Sequence, residues 1–222
     1  TTVEKGGAFY VLGDSTKFTL NGAEKSGGGK TITIQNNAVI TQGGGIYLNG
    51  NGTHTLTNCS ITGNTASSSG GGIYLNSNGT CTLLGTMNIT GNTVKKGSTS
   101  SDNNLYLSSG KTVALSSGSK SLSMSSKIGV TTATAPTEGT DVQFATGATS
   151  AMASCFTPDD SSYNVAYGSS GTLSLVVDNQ KQITLSSSTP SIRITPEGYY
   201  TPQNSTTLNS FTGTYVLTGS YK

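Results

Sequence analysis

The sequence predicts an all-β chain wound as a right-handed parallel β-helix, and three observations carry that prediction. The first is a repeated phrase: GGGIYLNGNGTHTLTNCSITGNT, beginning at Gly43, returns at Gly70 as GGGIYLNSNGTCTLLGTMNITGNT. A period of roughly 20–50 residues is the mark of solenoids and propellers. The second is the pattern inside each copy, where apolar and polar residues alternate in short runs separated by Gly and Asn, the period of strands and not of helices. The third is composition: 32% of the 222 residues are hydrophobic and 10% charged, with 30 Gly and no Trp. Taken alone, that mixture also fits a disordered low-complexity chain. The repeat decides for the folded reading.

Aligned on Ile46-Tyr47 and Ile73-Tyr74, the copies lie 27 residues apart; aligned on Ile61-Thr62-Gly63-Asn64 and Ile89-Thr90-Gly91-Asn92, they lie 28 apart. One residue therefore enters between the anchors. The first copy holds three strand-like runs, Ile46-Tyr47-Leu48, His54-Thr55-Leu56-Thr57 and Cys59-Ser60-Ile61. In the second they become Ile73-Tyr74-Leu75, Thr82-Leu83-Leu84 and Met87-Asn88-Ile89. Three strands and three turns in about 27 residues make one coil, in which each strand pairs with its counterpart about 4.8 Å away in the next. The crossover rule makes the winding right-handed.

Alternation then assigns the side chains. Ile46, Leu48, Leu56, Cys59 and Ile61 point inward and stack against Ile73, Leu75, Leu83 or Leu84, Met87 and Ile89. Thr occupies the outer face, a good strand former with no charge to repel its copy in the next coil. Gly43 to Gly45 and Gly70 to Gly72 supply corners with positive φ, and Asn64 over Asn92 is placed to form an amide ladder.

Upstream, Gly6-Gly7-Ala8-Phe9-Tyr10 echoes the Gly-Gly-Gly-Ile-Tyr anchor, and Lys30-Thr31-Ile32-Thr33-Ile34 with Val39-Ile40-Thr41 supplies two strands of a lengthened coil. Downstream, Leu105-Tyr106-Leu107 repeats the Tyr anchor. Val113-Ala114-Leu115, Leu122-Ser123-Met124, Ile128-Gly129-Val130, Val142-Gln143-Phe144, Val165-Ala166-Tyr167 and Leu173-Ser174-Leu175-Val176 read as further rungs. Residues 1–177 are thus expected to form the β-helix. Residues 178–222 hold three of the five Pro, the only Arg and Tyr199-Tyr200. They read as a β-rich cap, since an open solenoid end needs covering, or as the start of a further module.

Charge excludes several classes of function. Twelve basic and ten acidic residues give a net charge of +2, with no basic stripe to neutralise phosphates, so nucleic acid is not an expected partner. Attraction to an anionic membrane surface fails on the same ground. No apolar run approaches the roughly 20 residues of a spanning helix, and the opening residues lack the charged-then-apolar profile of a signal peptide.

No cofactor or metal is expected either. The Gly triplets are not followed by the Lys-Ser or Lys-Thr of a phosphate loop, and the Asp of calcium-binding nonapeptides is missing. A single His cannot build a zinc site, so His54 reads as a corner residue. Cys59, Cys81 and Cys155 are odd in number and lack ligand spacing; they read as small buried residues, with a disulfide between two of them left open. Asn51, Asn58, Asn78, Asn88 and Asn204 stand in glycosylation sequons, which a chain rich in Asn and Thr produces by chance.

The phrase Ile-Thr-Gly-Asn-Thr-Ala, a few small residues, then Gly-Gly-Gly-Ile-Tyr resembles the repeats of the chlamydial polymorphic outer-membrane proteins, which pair a Phe-x-x-Asn block with a Gly-Gly-Ala-Ile block. Here Ile stands where Phe is usual. The chain is more similar to the repeat-rich surface proteins of treponemes and some gut bacteria, in which GGGIY and ITGNT cassettes alternate. A closing segment there resembles SKIGVTTATAPTEGTDVQFATG, residues 126 to 147. What the resemblance implies is a secreted or surface-anchored bacterial β-helix with adhesin-like roles, partnered by a host or neighbouring-cell surface protein or glycan.

A non-enzymatic adhesin or structural stalk is therefore the expected function. Between Glu24 and Asp102 there is no acidic residue, and between Lys30 and Lys95 no basic one, so the best-formed coils offer only His54 for proton transfer. The alternative is a polysaccharide-processing or carbohydrate-binding β-helix. Glycoside chemistry wants paired carboxylates, and Asp159-Asp160, after Pro158 and before Ser161-Ser162, reads as a turn. A Thr-x-Thr array for ice binding is broken where Thr55-Leu56-Thr57 becomes Thr82-Leu83-Leu84. The candidate binding face is Tyr47, Tyr74 and Tyr106, each set outward between two inward apolar residues. Such a rank either docks a sugar or a protein side chain or stacks for stability alone.

Overall fold

In a computed structural model the chain is nearly all β, 50% strand and 4% helix, and forms a β-solenoid of about four turns. The structure describes residues 3–177 apart from 23, 26, 27, 117, 119 and 120, and beyond these only the backbone of five short strands. The chain divides into two compact units, Thr1–Val177 and Asp178–Lys222.

Three columns of parallel strands build the first unit. One column runs through Phe9–Leu12, Ile46–Asn49, Ile73–Leu75 and Leu105–Leu107, in the register Phe9↔Ile46↔Ile73↔Leu105. A second runs through Phe18–Asn21, His54–Thr57, Cys81–Leu84, Val113–Ala114 and Val142–Thr146. The third contains Ile32–Gln35, Cys59–Thr62 and Asn88–Thr90. The longer strand Lys127–Thr132 pairs with Asn88–Thr90 through its first residues and with Leu105–Leu107 through its last, which joins the first and third columns into one sheet. Leu56 sits opposite Leu83, while Leu84 faces Thr57 and is half-buried.

Inward side chains stack like on like. Ile46, Leu48, Leu56, Ile61, Ile73, Leu75, Leu83, Met87, Ile89, Leu105 and Leu107 are all fully buried in one continuous core. Each such aliphatic side chain contributes about 1.5–3 kcal/mol on burial, and alternation along short strands delivers them without a long apolar run. The Gly triplets act in two ways. Gly43 and Gly70 adopt φ of 68° and 65°, the corner conformation expected of Gly. The middle glycines serve a different need: a Cβ on Gly44 would lie 2.2 Å from the Gly71 carbonyl oxygen, so the coils approach too closely there for any side chain.

Four predicted rungs differ. Val39-Ile40-Thr41 is not a strand: Val39 is buried and its N–H donates to the Thr65 carbonyl at 3.0 Å, but only isolated bridges flank it and Ile40 is exposed. Of Leu122-Ser123-Met124, only Leu122 bridges to the preceding coil, at Gly85, and Met124 is exposed. Tyr163–Gly168 and Thr172–Val177 form an antiparallel hairpin, and Thr172–Val177 also runs antiparallel to Val142–Thr146. A parallel return needs a crossover of about a dozen residues or more. Only residues 169–171 separate these strands, turned at Gly171 with φ of 72°. The hairpin closes that end of the second column.

The second unit holds Lys181–Thr184 paired parallel with Tyr215–Thr218, and an antiparallel set of Arg193–Thr195, Gly198–Tyr200 and Thr207–Leu208. Those strands apart, residues 178–222 lie outside the described residues, and the expectation that they cap the solenoid lies there with them.

Candidate functional site

Alternation in the first column puts one Tyr outward per coil, and the register brings them into line. Tyr47 and Tyr74 stack with centroids 5.1 Å apart and planes 1° from parallel; Tyr74 and Tyr106 stack at 5.3 Å and 13°. Tyr10 extends the rank at 5.1 Å, tilted by 39°. It was legible only as a faint echo of the anchor and was not among the expected site residues. The rank spans three strand spacings, roughly 14 Å.

Tyr47 is a correction to the expected open face. It points outward, yet it is only 5% exposed, because Tyr10 and Tyr74 cover its faces and the Lys5 ammonium lies 5.2 Å from its ring centroid. Burial pushes its phenol pKa up, opposed by the Lys5 charge. Tyr74 and Tyr106 are half-buried, and Tyr10 is 52% exposed.

Beside Tyr106 the surface forms a groove of about 320 Å³, lined among others by Ser68, Ser69, Lys96, Ser100 and Asn103. One wall is the hairpin of Thr93–Lys96 and Thr99–Asp102, which leaves the third column after Asn92. Val94 anchors it in a small separate core with Val39 and Ala66. Asn103 is fixed as well: its Oδ1 accepts from the Gly70 N–H, and its Nδ2 donates to Thr131 Oγ1 at 3.2 Å.

The expected Asn64–Asn92 ladder is present and longer than the repeat implies. Asn37 Nδ2 donates to Asn64 Oδ1 (2.9 Å), Asn64 Nδ2 to Asn92 Oδ1 (2.9 Å) and Asn92 Nδ2 to Asn104 Oδ1 (3.0 Å). Asn104 Nδ2 then donates to Asp159 Oδ1 at 2.6 Å. Every amide points the same way, toward an acceptor-only carboxylate. Asn104 was missed because the hairpin places it 12 residues after Asn92 and not 27 or 28. It occupies the position of the third Gly of the triplet, since Leu105 pairs with Ile73. In the preceding coil a Cβ on Gly72 would lie 2.8 Å from Asn92 Nδ2, so that Gly clears the volume the ladder fills.

Asp159 and Asp160, read together as a turn, divide their roles. Asp160 makes the turn, its Oδ1 accepting from the Ser162 N–H at 2.9 Å. Asp159 is turned inward and accepts from the Asn104 N–H and Thr131 Oγ1, both at 2.7 Å, as well as from the Asn104 amide. Burial pushes its pKa up, the three donors pull it down, and the nearby Asp102 charge adds to the rise. These contacts make Asp159 the terminus of the ladder.

His54 is not a corner residue. It lies in the strand His54–Thr57 between Phe18 and Cys81 in register, is 0% exposed, and neither ring nitrogen has a hydrogen-bond partner. Burial pushes its pKa down. The sequence put it one position before an alternating Thr-Leu-Thr, and counting back from Leu56 would have turned it inward. Cys59, Cys81 and Cys155 are buried free thiols, and burial raises the first two to about 11 and about 12. Asn58 is buried at φ 51°, donating to the Gly22 carbonyl at 2.7 Å and accepting from the Thr86 N–H at 2.8 Å. Its amide is thus committed between coils and closed to a glycan.

Among the described residues, no group of three or more His, Cys, Asp or Glu is placed to hold a metal, and no helix is long and apolar enough to cross a membrane. The fold and the aligned side chains define a β-solenoid carrying an aromatic rank on one outer face and an amide ladder at its corner. Compared with known proteins, the chain matches no family model, no curated protein and no solved structure.

Proposed function

We propose that residues 1–177 act as a non-enzymatic module of a bacterial cell surface, secreted or anchored, that adheres to a host or neighbouring-cell protein or glycan, or spaces such a contact from the surface. The observation that carries this reading is the rank of Tyr10, Tyr47, Tyr74 and Tyr106 on the outer face of a solenoid. Aromatic side chains offer large, rigid contact area with a polar tip, the property that enriches Tyr at binding surfaces. Between Lys30 and Lys95, the stretch that bears Tyr47 and Tyr74, there is no Asp, Glu, Lys or Arg, so in those coils the contact surface is Tyr, Thr and Asn. The resemblance to treponemal surface repeats supports the same assignment.

An array of glycans and host-matrix proteins probed with the intact chain tests this, with far-UV circular dichroism as the folding check. Selective capture is the expected result. Degradation of an arrayed glycan would overturn the non-enzymatic reading. A folded chain that captures nothing would sink adhesion and leave the spacer.

A further inference from the structure

The rank does not end on an open stack. Beyond Tyr106 the next residue in register is Thr131, so the column of rings stops there, and the groove opens beside the last ring. Tyr106 is held parallel to Tyr74 within 13°, which fixes its orientation before any ligand arrives. The hairpin wall is held by the Val39–Ala66–Val94 core, and Asn103 by its two hydrogen bonds. The groove is therefore pre-formed, and ordering it costs a ligand little.

Its lining specifies the chemistry. Ser68, Ser69 and Ser101 line the groove together with the Tyr106 ring, and Lys96 is the one charged residue among those that line it. An aromatic ring flanked by small hydroxyls matches a sugar, with an apolar ring face and a hydroxyl rim, and a lone cation without a carboxylate beside it selects a sugar that carries negative charge. At about 320 Å³ the space lies at the small end of ligand sites, which run from roughly 300 to 1,000 Å³. We propose that this groove is a subsite for one acidic saccharide unit, its ring against Tyr106 and its carboxylate or sulfate on Lys96. This deepens the adhesive reading above and rests on it.

Strand alternation supplies the control. Lys95 and Lys96 are adjacent on the hairpin and project to opposite faces, and Lys95 is not among the lining residues. Titration calorimetry of the full chain with tetragalacturonate, and with cellotetraose as the neutral probe, tests the site. The expected result is binding of the acidic probe alone, weakened about fivefold by Lys96→Gln and unchanged by Lys95→Gln. Tyr106→Ala should weaken it roughly three- to tenfold, with Tyr106→Phe restoring most of the loss. Ser101→Trp, on the same hairpin face as Lys96 because Ser101 pairs with Val94, fills the groove away from the rank and should abolish binding in a chain of unchanged melting temperature. Equal effects of the two Lys variants, equal binding of both probes, or no binding at millimolar probe overturns the proposal. If the chain still captures an arrayed protein in that last case, the adhesive reading survives its loss.

Discussion

Replacing Asn92 with Ala should be among the most damaging single changes in the solenoid, although Asn92 carries no charge and is not part of the tyrosine rank. Its Nδ2 donates to the Ile61 carbonyl at 2.7 Å, the Thr90 carbonyl at 3.1 Å and Asn104 Oδ1 at 3.0 Å, while its Oδ1 accepts from the Asn64 N–H at 3.0 Å and from Asn64 Nδ2 at 2.9 Å. Truncation leaves the buried Asn64 N–H without its acceptor, at about 1–3 kcal/mol, and removes further bonds at about 0.5–1.5 kcal/mol each. The low ends sum to about 3 kcal/mol, and single substitutions seldom exceed about 5 kcal/mol, so a loss of about 3–5 kcal/mol is expected. For a unit of this size each kcal/mol moves the melting temperature by about 2–4 °C, so thermal unfolding followed by circular dichroism should show a fall of roughly 6–20 °C. Asn92→Asp should be no milder, because an oxygen then faces the three acceptors that Nδ2 now serves. A shift below about 2 °C in Asn92→Ala would refute the claim that the ladder holds the coils in register.

The remaining predictions concern single buried groups. His54→Leu should leave stability unchanged or raise it by up to about 2 kcal/mol, because no polar partner is lost. The folded pKa of His54 lies below its ordinary value, so its contribution is lost as pH falls from about 6.5 toward that lower value; melts from pH 7 to 5 should fall less steeply in His54→Leu than in the parent. Asp159 has the opposite sign. Its folded pKa is raised, so the native state holds the proton longer than the unfolded one. Stability from this group therefore declines as pH rises from about 3.9 through the raised value. The melting temperature of the parent relative to Asp159→Asn should drop over that window, and a difference that is flat with pH would contradict it. Gly44→Ala places a Cβ 2.2 Å from the Gly71 carbonyl oxygen, with backbone on both sides unable to yield. It should cost more than the roughly 1 kcal/mol typical of a point mutation, read as a lowered denaturation midpoint.

Much of this architecture was legible because a parallel solenoid repeats in space what its sequence repeats in order. Period-2 alternation fixed which of Ile46, Tyr47 and Leu48 face inward, and the 27-residue offset placed Tyr74 on Tyr47; of Leu83 and Leu84, which the sequence left open, the register put Leu83 on Leu56. What escaped were the places where spatial order and chain order part. Asn104 joins the ladder only because the hairpin of Thr93–Lys96 and Thr99–Asp102 loops out of the coil and returns. Asp159 arrives from 55 residues beyond Asn104, with no repeat to announce it. Tyr163–Gly168 alternates as a rung does, yet three intervening residues permit only an antiparallel return.

The sequence by itself determined the all-β class, the coil length, the inward and outward faces and the line of tyrosines, since each follows from local alternation and a fixed period. The tertiary structure alone decided how open that line is, where the ladder ends and how the second column closes. Those outcomes depend on what the neighbouring coil presses against each residue. Tyr47 is covered by two rings and a lysine, His54 is enclosed without a partner, and Asp159 is aimed at an amide chain that no local pattern specifies.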